Sequence, residues 1–463
     1  MKKYWIVSLS CLALITSAFG AAQVEDKISS LYQKAGKSTV IITLKDRVTA
    51  LELNSIRSTS AMKQALMKNL QESSISLKQR LNLLSEDTRI LDELWTSNSL
   101  VAEVSNGVLS ELASRDDIEQ IILDGPVPML KPVANPQEEP QEKDWTYGLK
   151  KLGVDKVRAA HSLTGKGVRV GILDTGIDPE HPDLKGKVIN WKSFSSKGPA
   201  TPADWHGHGT HVAGTIAGGS SSGTHIGVAP DVKLIVAQIF GRRGASKSGI
   251  LKAMNWIADP DGNPDTDDHA QIVSNSWGAP KRFKFLERSR WKAVQNWVRL
   301  NMVPVFAAGN SGSKPKTIGV PAAYPHSFAI GAVDSSDTIA KFSSRGPVKW
   351  GRKSYIKPDI SAAGVNVLSA KPGGGYQRMS GTSMATPHIS GLAALLLEAN
   401  PNLSVKQVQD FLTTTAEDLG ASGQDQDYGW GRANILKAVK SLMGENQIQA
   451  EDRQSRFSTV HTH

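Results

Sequence analysis

The stretch "VRVGILDTGID" (residues 168–178) opens on an almost unbroken apolar run and closes on an acid, a hydroxyl and a glycine. An apolar run without polar alternation is what a strand needs when both of its faces are covered. Four more such runs follow: "KLIVAQIF" (233–240), "QIVSNSWG" (271–278), "VPVFAAGN" (303–310) and "SFAIGAVD" (327–334). Helical periodicity fills several of the gaps, at 248–258, 288–301 and 383–399. Short buried strands alternating with helices predict an α/β domain with a central, mostly parallel sheet over residues 145–443. In such sheets functional groups gather at the carboxyl ends of the strands, where Asp174 falls.

Upstream the pattern differs. Lys2 and Lys3 precede an uncharged run that ends in "AFGAA", the outline of an export signal over residues 1–22. The sole cysteine, Cys11, would depart with it, so no disulfide is expected in the mature chain. Residues 23–126 alternate strand-like (38–46, 99–105, 118–126) and helical (61–85, 107–117) segments, as in a small α+β unit. Residues 127–144, "VPMLKPVANPQEEPQEKD", have the Pro/Glu/Gln composition of an exposed linker open to proteolysis, and 444–463 form a polar tail.

Charge separates these parts. Residues 21–130 carry 12 basic against 15 acidic side chains, and 131–463 carry 40 against 29. That imbalance would allow an acidic leader to dock on a basic body. The basic cluster at 281–299 reads as a solvated helix face, and no nucleic-acid module accompanies it. No apolar stretch after the N-terminus is long enough to anchor the mature form in a membrane.

The chemistry-bearing residues fall in three segments. "GILDTGID" carries Asp174, "HGHGTHVAG" (206–214) carries His206, His208 and His211, and "GTSMATPH" (381–388) puts Ser383 ahead of a helical run. An H-x-H-x-x-H cluster can hold zinc, but Thr210 stands where such sites place an acid, and the later histidines form no ligand motif. An acid, an imidazole and a hydroxyl are instead the parts of nucleophilic acyl transfer.

"DTGID", "HGTHVAG", "AAGN" and "GTSMATPH", in that order, resemble the subtilisin-like serine proteases, or subtilases, over residues 150–440. The resemblance implies a subtilisin-like three-layer α/β domain and a secreted serine endopeptidase. It implies Asp174 as orienting carboxylate, His208 as general base and then acid, Ser383 as nucleophile and Asn310 as oxyanion donor. Substrate would lie along Ser276, Trp277 and Gly278 on one side and Ala308 and Gly309 on the other, with Gly319 at the pocket floor. With no acidic side chain among these positions, large uncharged residues are expected before the cut bond. Residues 23–126 are similar to the family's inhibitor-type propeptides, small ferredoxin-like α+β units. This implies self-processing within 127–144, with Leu130 before the cut, and a leader that inhibits its own enzyme.

No cofactor is expected for catalysis, and the partners expected are peptide substrates and the leader, on a monomer. Structural calcium is a separate question. Asp259, Asp261, Asn263 and Asp265, in a "DGNPD…NSWG" insertion resembling bacillopeptidase F-like members of the family, alternate oxygen ligands suited to calcium, yet a plain acidic loop is the favoured reading. Pro264 and Ala270 exclude an EF-hand. Asp183 matches one ligand of the family's calcium site, but the "GGSSSGTH" loop (218–225) has serines where an asparagine ligand is expected.

Overall fold

The computed structural model describes residues 23–25, 36–130, 132–133, 142–280 and 287–444. Residues 1–22, read as an export signal, residues 26–35, half of the linker, the start of the basic cluster and the polar tail from 445 lie outside the described residues.

The N-terminal unit contains β1 (Gln23–Val24), β2 (Lys37–Leu44), α1 (Thr59–Leu83), β3 (Thr88–Leu94), β4 (Ser99–Ser105), α2 (Leu109–Ala113) and β5 (Ile118–Leu123). Its sheet runs β1-β5-β2-β4-β3; the last four strands are antiparallel and β1 is a short parallel edge. From β2 onward the order strand–helix–strand–strand–helix–strand is that of a ferredoxin-like unit. β2 reads "KSTVIITL", and Val40, Ile41 and Ile42 are fully buried, because one face meets α1 and the other packs towards the larger domain.

The larger domain is built on β6 (Arg169–Asp174), β7 (Val188–Ser193), β8 (Lys233–Gln238), β9 (Ile272–Asn275), β10 (Val303–Ala307), β11 (Phe328–Val333) and β12 (Ile360–Ala363). All seven are parallel, in the order β12-β11-β10-β9-β6-β8-β7. Five match the apolar runs in the sequence, and two do not. β7 is an edge strand with only half-buried and exposed residues, and β12, "ISAA", is too short and small-sided to stand out.

Helices α3 (His208–Ala217) and α6 (Thr382–Ala399) cover one face of this sheet. Helices α4 (Lys247–Trp256) and α5 (Arg288–Arg299) cover the other, giving three layers. Within β6, Val170 and Ile172 point to the α3/α6 core and Leu173 to the opposite one, the two-residue period of a strand. α6 packs closely enough that a Cβ on Gly391 would lie 2.5 Å from Val228 Cβ. Gly391→Ala is therefore expected to cost about 1–3 kcal/mol of stability, read as a lower denaturant midpoint at unchanged slope.

The N-terminal unit docks on α4 and α5, and one apolar core runs through both. Polar contacts fix the register. Thr96 N–H donates to Asn255 Oδ1 (3.0 Å), and Asn296 Nδ2 donates to Thr96 O (2.8 Å). Two buried lysines cross the interface in opposite directions. Lys292 on α5 reaches Asp46 (2.9 Å), Glu119 (2.9 Å) and Leu44 O (2.8 Å), while Lys63 on α1 reaches Asp259 (2.8 Å).

Candidate active site

Asp174 ends β6 and His208 opens α3, so a strand terminus meets a helix N-terminus at the carboxyl edge of the sheet. The His208 ring donates through Nδ1 to Asp174 Oδ1 at 2.7 Å, and that oxygen also accepts Thr175 N–H at 2.7 Å. Both side chains are buried. Accepting from Nδ1 fixes the tautomer that leaves Nε2 as the basic nitrogen. Nε2 is buried and has no hydrogen-bond partner among the described residues. Burial alone pushes the His208 pKa down; the charge and hydrogen bond of Asp174, with the charge of Asp204, outweigh it, and the net shift is upward.

Asp204 is a residue that motif reading missed. Its Oδ1 accepts from His206 N–H, Gly207 N–H and Thr175 Oγ1, and its Oδ2 from Thr210 N–H and Thr210 Oγ1, all at 2.7–3.0 Å. Together with Thr175 Oγ1, which accepts Gly209 N–H at 2.9 Å, it satisfies the N–H groups that open α3 and so aims His208. An aspartate four residues before the helix was the available signal. Gly176, at φ +123°, is required here: a side chain would strike Ala203 O of the loop that leads to Asp204.

Ser383 sits in the first turn of α6, fully buried. Its hydroxyl donates to Ser276 O at 3.1 Å, and Ser276 Oγ donates back to Ser383 O at 2.8 Å. This reciprocal clamp ties the helix to the residue after β9. The hydroxyl does not bond His208 in this arrangement; a catalytic hydrogen bond of this kind commonly tightens only once substrate is in place.

Asn310 follows β10. Its Oδ1 accepts Thr382 N–H (3.0 Å) and Thr382 Oγ1 (2.9 Å), so the amide oxygen is held and Nδ2 is directed away from Thr382. A Cβ on Gly381 would lie 3.2 Å from Asn310 Nδ2 and 3.6 Å from Ser383 N. The two nitrogens therefore border one small space that glycine keeps open.

The remaining sequence candidates divide. Gly278 and Gly319 lie together: Ala279 and Val320 form a bridge, and Gly319 N–H donates to Ala308 O at 2.9 Å. Gly309 adopts φ +113° beside Ser344. Trp277 points into the core, donating from Nε1 to Asn275 Oδ1 at 3.1 Å, and the residue is fully buried. His211 is packing: its Nε2 meets Val367 O at 2.9 Å, and burial drives its pKa down to about 3. His206 stands edge-on to Trp205 (5.1 Å).

Asp183 is far in sequence from the acidic loop and accepts Ser221 N–H (2.7 Å) and Tyr376 OH (2.8 Å). Asp259 and Asp261 come together, and their third partner is Asp268, which motif reading passed over. Asn263 accepts Asp265 N–H at 3.1 Å, and Asp265 turns to Ser60 and Gln64 of α1 (2.7 and 2.8 Å).

Described residues on either side of position 131 are anchored to the larger domain. Pro126–Val127 pair antiparallel with Ala245–Ser246, and Val133 N–H donates to Ser380 O at 2.7 Å, three residues before Ser383. Leu130 is midway between the two anchors and half-buried.

Residues 165–431 match the profile described as the subtilase family. The chain is 31% identical to Bacillopeptidase F of Bacillus subtilis (strain 168), over 93% of this chain and 34% of that protein, so it spans about a third of that relative's length. It is 38% identical to Subtilisin DY of Bacillus licheniformis, over 64% of this chain and 98% of that protein. It is 34% identical to Serine protease AprX of Bacillus subtilis (strain 168), over 74% and 79% respectively. With an aspartate bonded to a histidine at the carboxyl edge of a parallel sheet and a serine in the first turn of a later helix, in that chain order, the chain belongs to the subtilase family, the subtilisin-like serine endopeptidases, hydrolases that cut peptide bonds.

Proposed function

We propose that this chain is an exported endopeptidase made as a self-inhibited precursor, working through Asp174, His208 and Ser383. The observation that carries the reading is the buried 2.7 Å bond from His208 Nδ1 to Asp174, which leaves Nε2 without a partner among the described residues. Nε2 takes the Ser383 proton as Oγ attacks the substrate carbonyl. The oxyanion is received by Asn310 Nδ2 and Ser383 N–H. The tetrahedral species collapses, His208 returns the proton to the leaving amine, and water repeats the sequence on the acyl-enzyme. A covalent serine-reactive probe tests this on the matured chain: it should label Ser383, and labelling elsewhere, or none, counts against the triad.

Asn310→Ala is expected to lower kcat by about 10²–10³, or roughly 2.7–4 kcal/mol of transition-state stabilisation, with little change in KM. Steady-state kinetics on one peptide substrate reads both. A comparable rise in KM would mean that Asn310 serves substrate binding instead.

Residues 23–126 act in this reading as an inhibitory leader, and the anchoring of Val127 against Ala245 and of Val133 against Ser380, three residues before Ser383, supports a cut after Leu130. The closeness of Ala308, Gly309 and Gly319, with Gly278 across the Ala279–Val320 bridge and no acidic side chain among them, supports a preference for large uncharged residues before the cut bond. Cleavage of a peptide panel checks it; strict selectivity for Arg or Lys would overturn it.

A further inference from the structure

A cavity of about 450 Å³ opens beside the segment that leads to His208, between the loop after β7, the end of β8 and the Gly241–Arg243 loop. Most polar groups that line it are already spent. Asp204, the one acid among them, gives both oxygens to the opening of α3 and its flanking loop. Gln238 donates from Nε2 to Thr175 O (2.9 Å) and accepts from Ser193 Oγ (2.7 Å). Trp205 donates from Nε1 to Phe240 O at 2.7 Å, yet its ring stays 38% exposed. What is left over is charge of one sign. Lys197, Arg242 and Arg243 are exposed and have no hydrogen-bond or ion-pair partner among the described residues.

The backbone fixes where the arginines stand. Gly241 and Gly244 exchange both of their main-chain hydrogen bonds (3.1 and 2.9 Å), so Arg242 and Arg243 form the tip of a two-residue turn. The strand that leaves this turn, Ala245–Ser246, is the one along which Pro126–Val127 run antiparallel. An antiparallel segment therefore travels from Val127 towards the arginine tip as it nears the cut, and a Cβ on Gly244 would already lie 3.4 Å from Val127 O. Side chains of an extended segment alternate in direction. Val127 is buried, Pro128 exposed and Met129 half-buried, and Met129 packs on the apolar core that includes Phe240 and Ala245. The residue second before the cut thus turns its side chain to the larger domain at the level of the tip.

We propose that the Arg242–Arg243 turn, together with Lys197, binds an acidic side chain on the second residue before the cut bond, and so makes the enzyme prefer Glu or Asp there. The inference rests on the reading of Leu130 as the residue before the cut. A guanidinium fork matches a carboxylate with two parallel hydrogen bonds. The exposed face of Trp205 offers an apolar wall to the methylene stem of a glutamate. The chain's own Met129 fills the position without neutralising the cations; a cut within one chain draws on a high effective concentration and does not depend on affinity at every contact. A substrate arriving from solution does depend on it, and the same charges repel Lys or Arg at this place.

The test gives the matured chain peptides with Leu before the cut bond and Glu, Gln or Lys one place earlier. At low salt kcat/KM should be about fivefold higher for Glu than for Gln, and lower for Lys than for Gln. The Glu-to-Gln ratio should shrink towards one as ionic strength rises. In the double variant Arg242→Gln, Arg243→Gln the ratio should fall to about one at low salt as well. A wild-type ratio near one, or a preference that survives both substitutions, overturns the proposal. Should the double variant fail to mature, Lys197→Gln and the salt series on the wild-type chain take its place. A glutamate preference that neither weakens in Lys197→Gln nor falls with salt then overturns it. Mass spectrometry of the matured chain reads the register separately. A chain that does not begin at Lys131 counts against Leu130 as the residue before the cut, and Glu is then compared with Gln at each neighbouring position. A preference that depends on the arginines at one of those positions upholds the anion site, and its absence from all of them overturns it.

Discussion

Ser383→Ala is expected to accumulate as the uncleaved chain and to lose peptide hydrolysis by roughly six orders of magnitude in kcat, the scale known for the same exchange in subtilisin, the family's reference case. The loss is large because the three side chains act as one unit: without the hydroxyl, the aligned base has nothing to deprotonate. Folding should be spared. Ser383 Oγ contributes a 3.1 Å bond to Ser276 O, while the companion bond from Ser276 Oγ to Ser383 O does not involve the deleted atom. Mass spectrometry of the product reads the processing arm, since the retained leader adds more than 100 residues. A Ser383→Ala chain that matures at the normal rate without another protease would end the self-processing reading while leaving the triad to the kinetic arm.

Asp174→Asn carries the second largest effect, a fall in kcat of about 10⁴ with the backbone undisturbed. An amide at this position can present its NH₂ to Nδ1, which holds the ring in the tautomer with the proton on the wrong nitrogen. The pH profile gives a signature that a merely structural role would not. Activity requires neutral His208, so kcat/KM falls as pH drops through its pKa. Burial lowers that pKa, but Asp174 and Asp204 lift it above the ordinary 6.5, so the wild-type acid limb should lie higher than for a free imidazole. Removing the Asp174 charge takes away the largest raising contribution, and the residual activity should persist to lower pH. A limb that stays in place after Asp174→Asn would show that another group controls it.

What could be read in advance followed the physics of burial. Runs such as "VRVGILD" and "VPVFAAGN" announced themselves because a strand covered on both faces has no use for polar side chains. β7 and β3 escaped for the converse reason: as edge strands with exposed or half-buried residues, they carry no continuous apolar signal. The site divides similarly. Asp174, His208, Asn310 and Ser383 lie in short motifs whose residue types are set by the reaction. Asp204, Asp268 and Lys63 do their work by meeting groups that only folding brings near. A lysine at position 63 of a polar helix looks like solvent-facing charge until α1 lays it, fully buried, against a loop 196 residues downstream.

The two lysines that cross the interface in opposite senses have a consequence for inheritance. The N-terminal unit contributes a cation at Lys63 and anions at Asp46 and Glu119; the larger domain contributes anions at Asp259 and Asp268 and a cation at Lys292. An N-terminal unit transplanted from a relative must reproduce both polarities at once, or it seats like charges against two buried ammonium groups. The two units are therefore expected to change as a pair, each reversal of sign on one side demanding its mirror on the other.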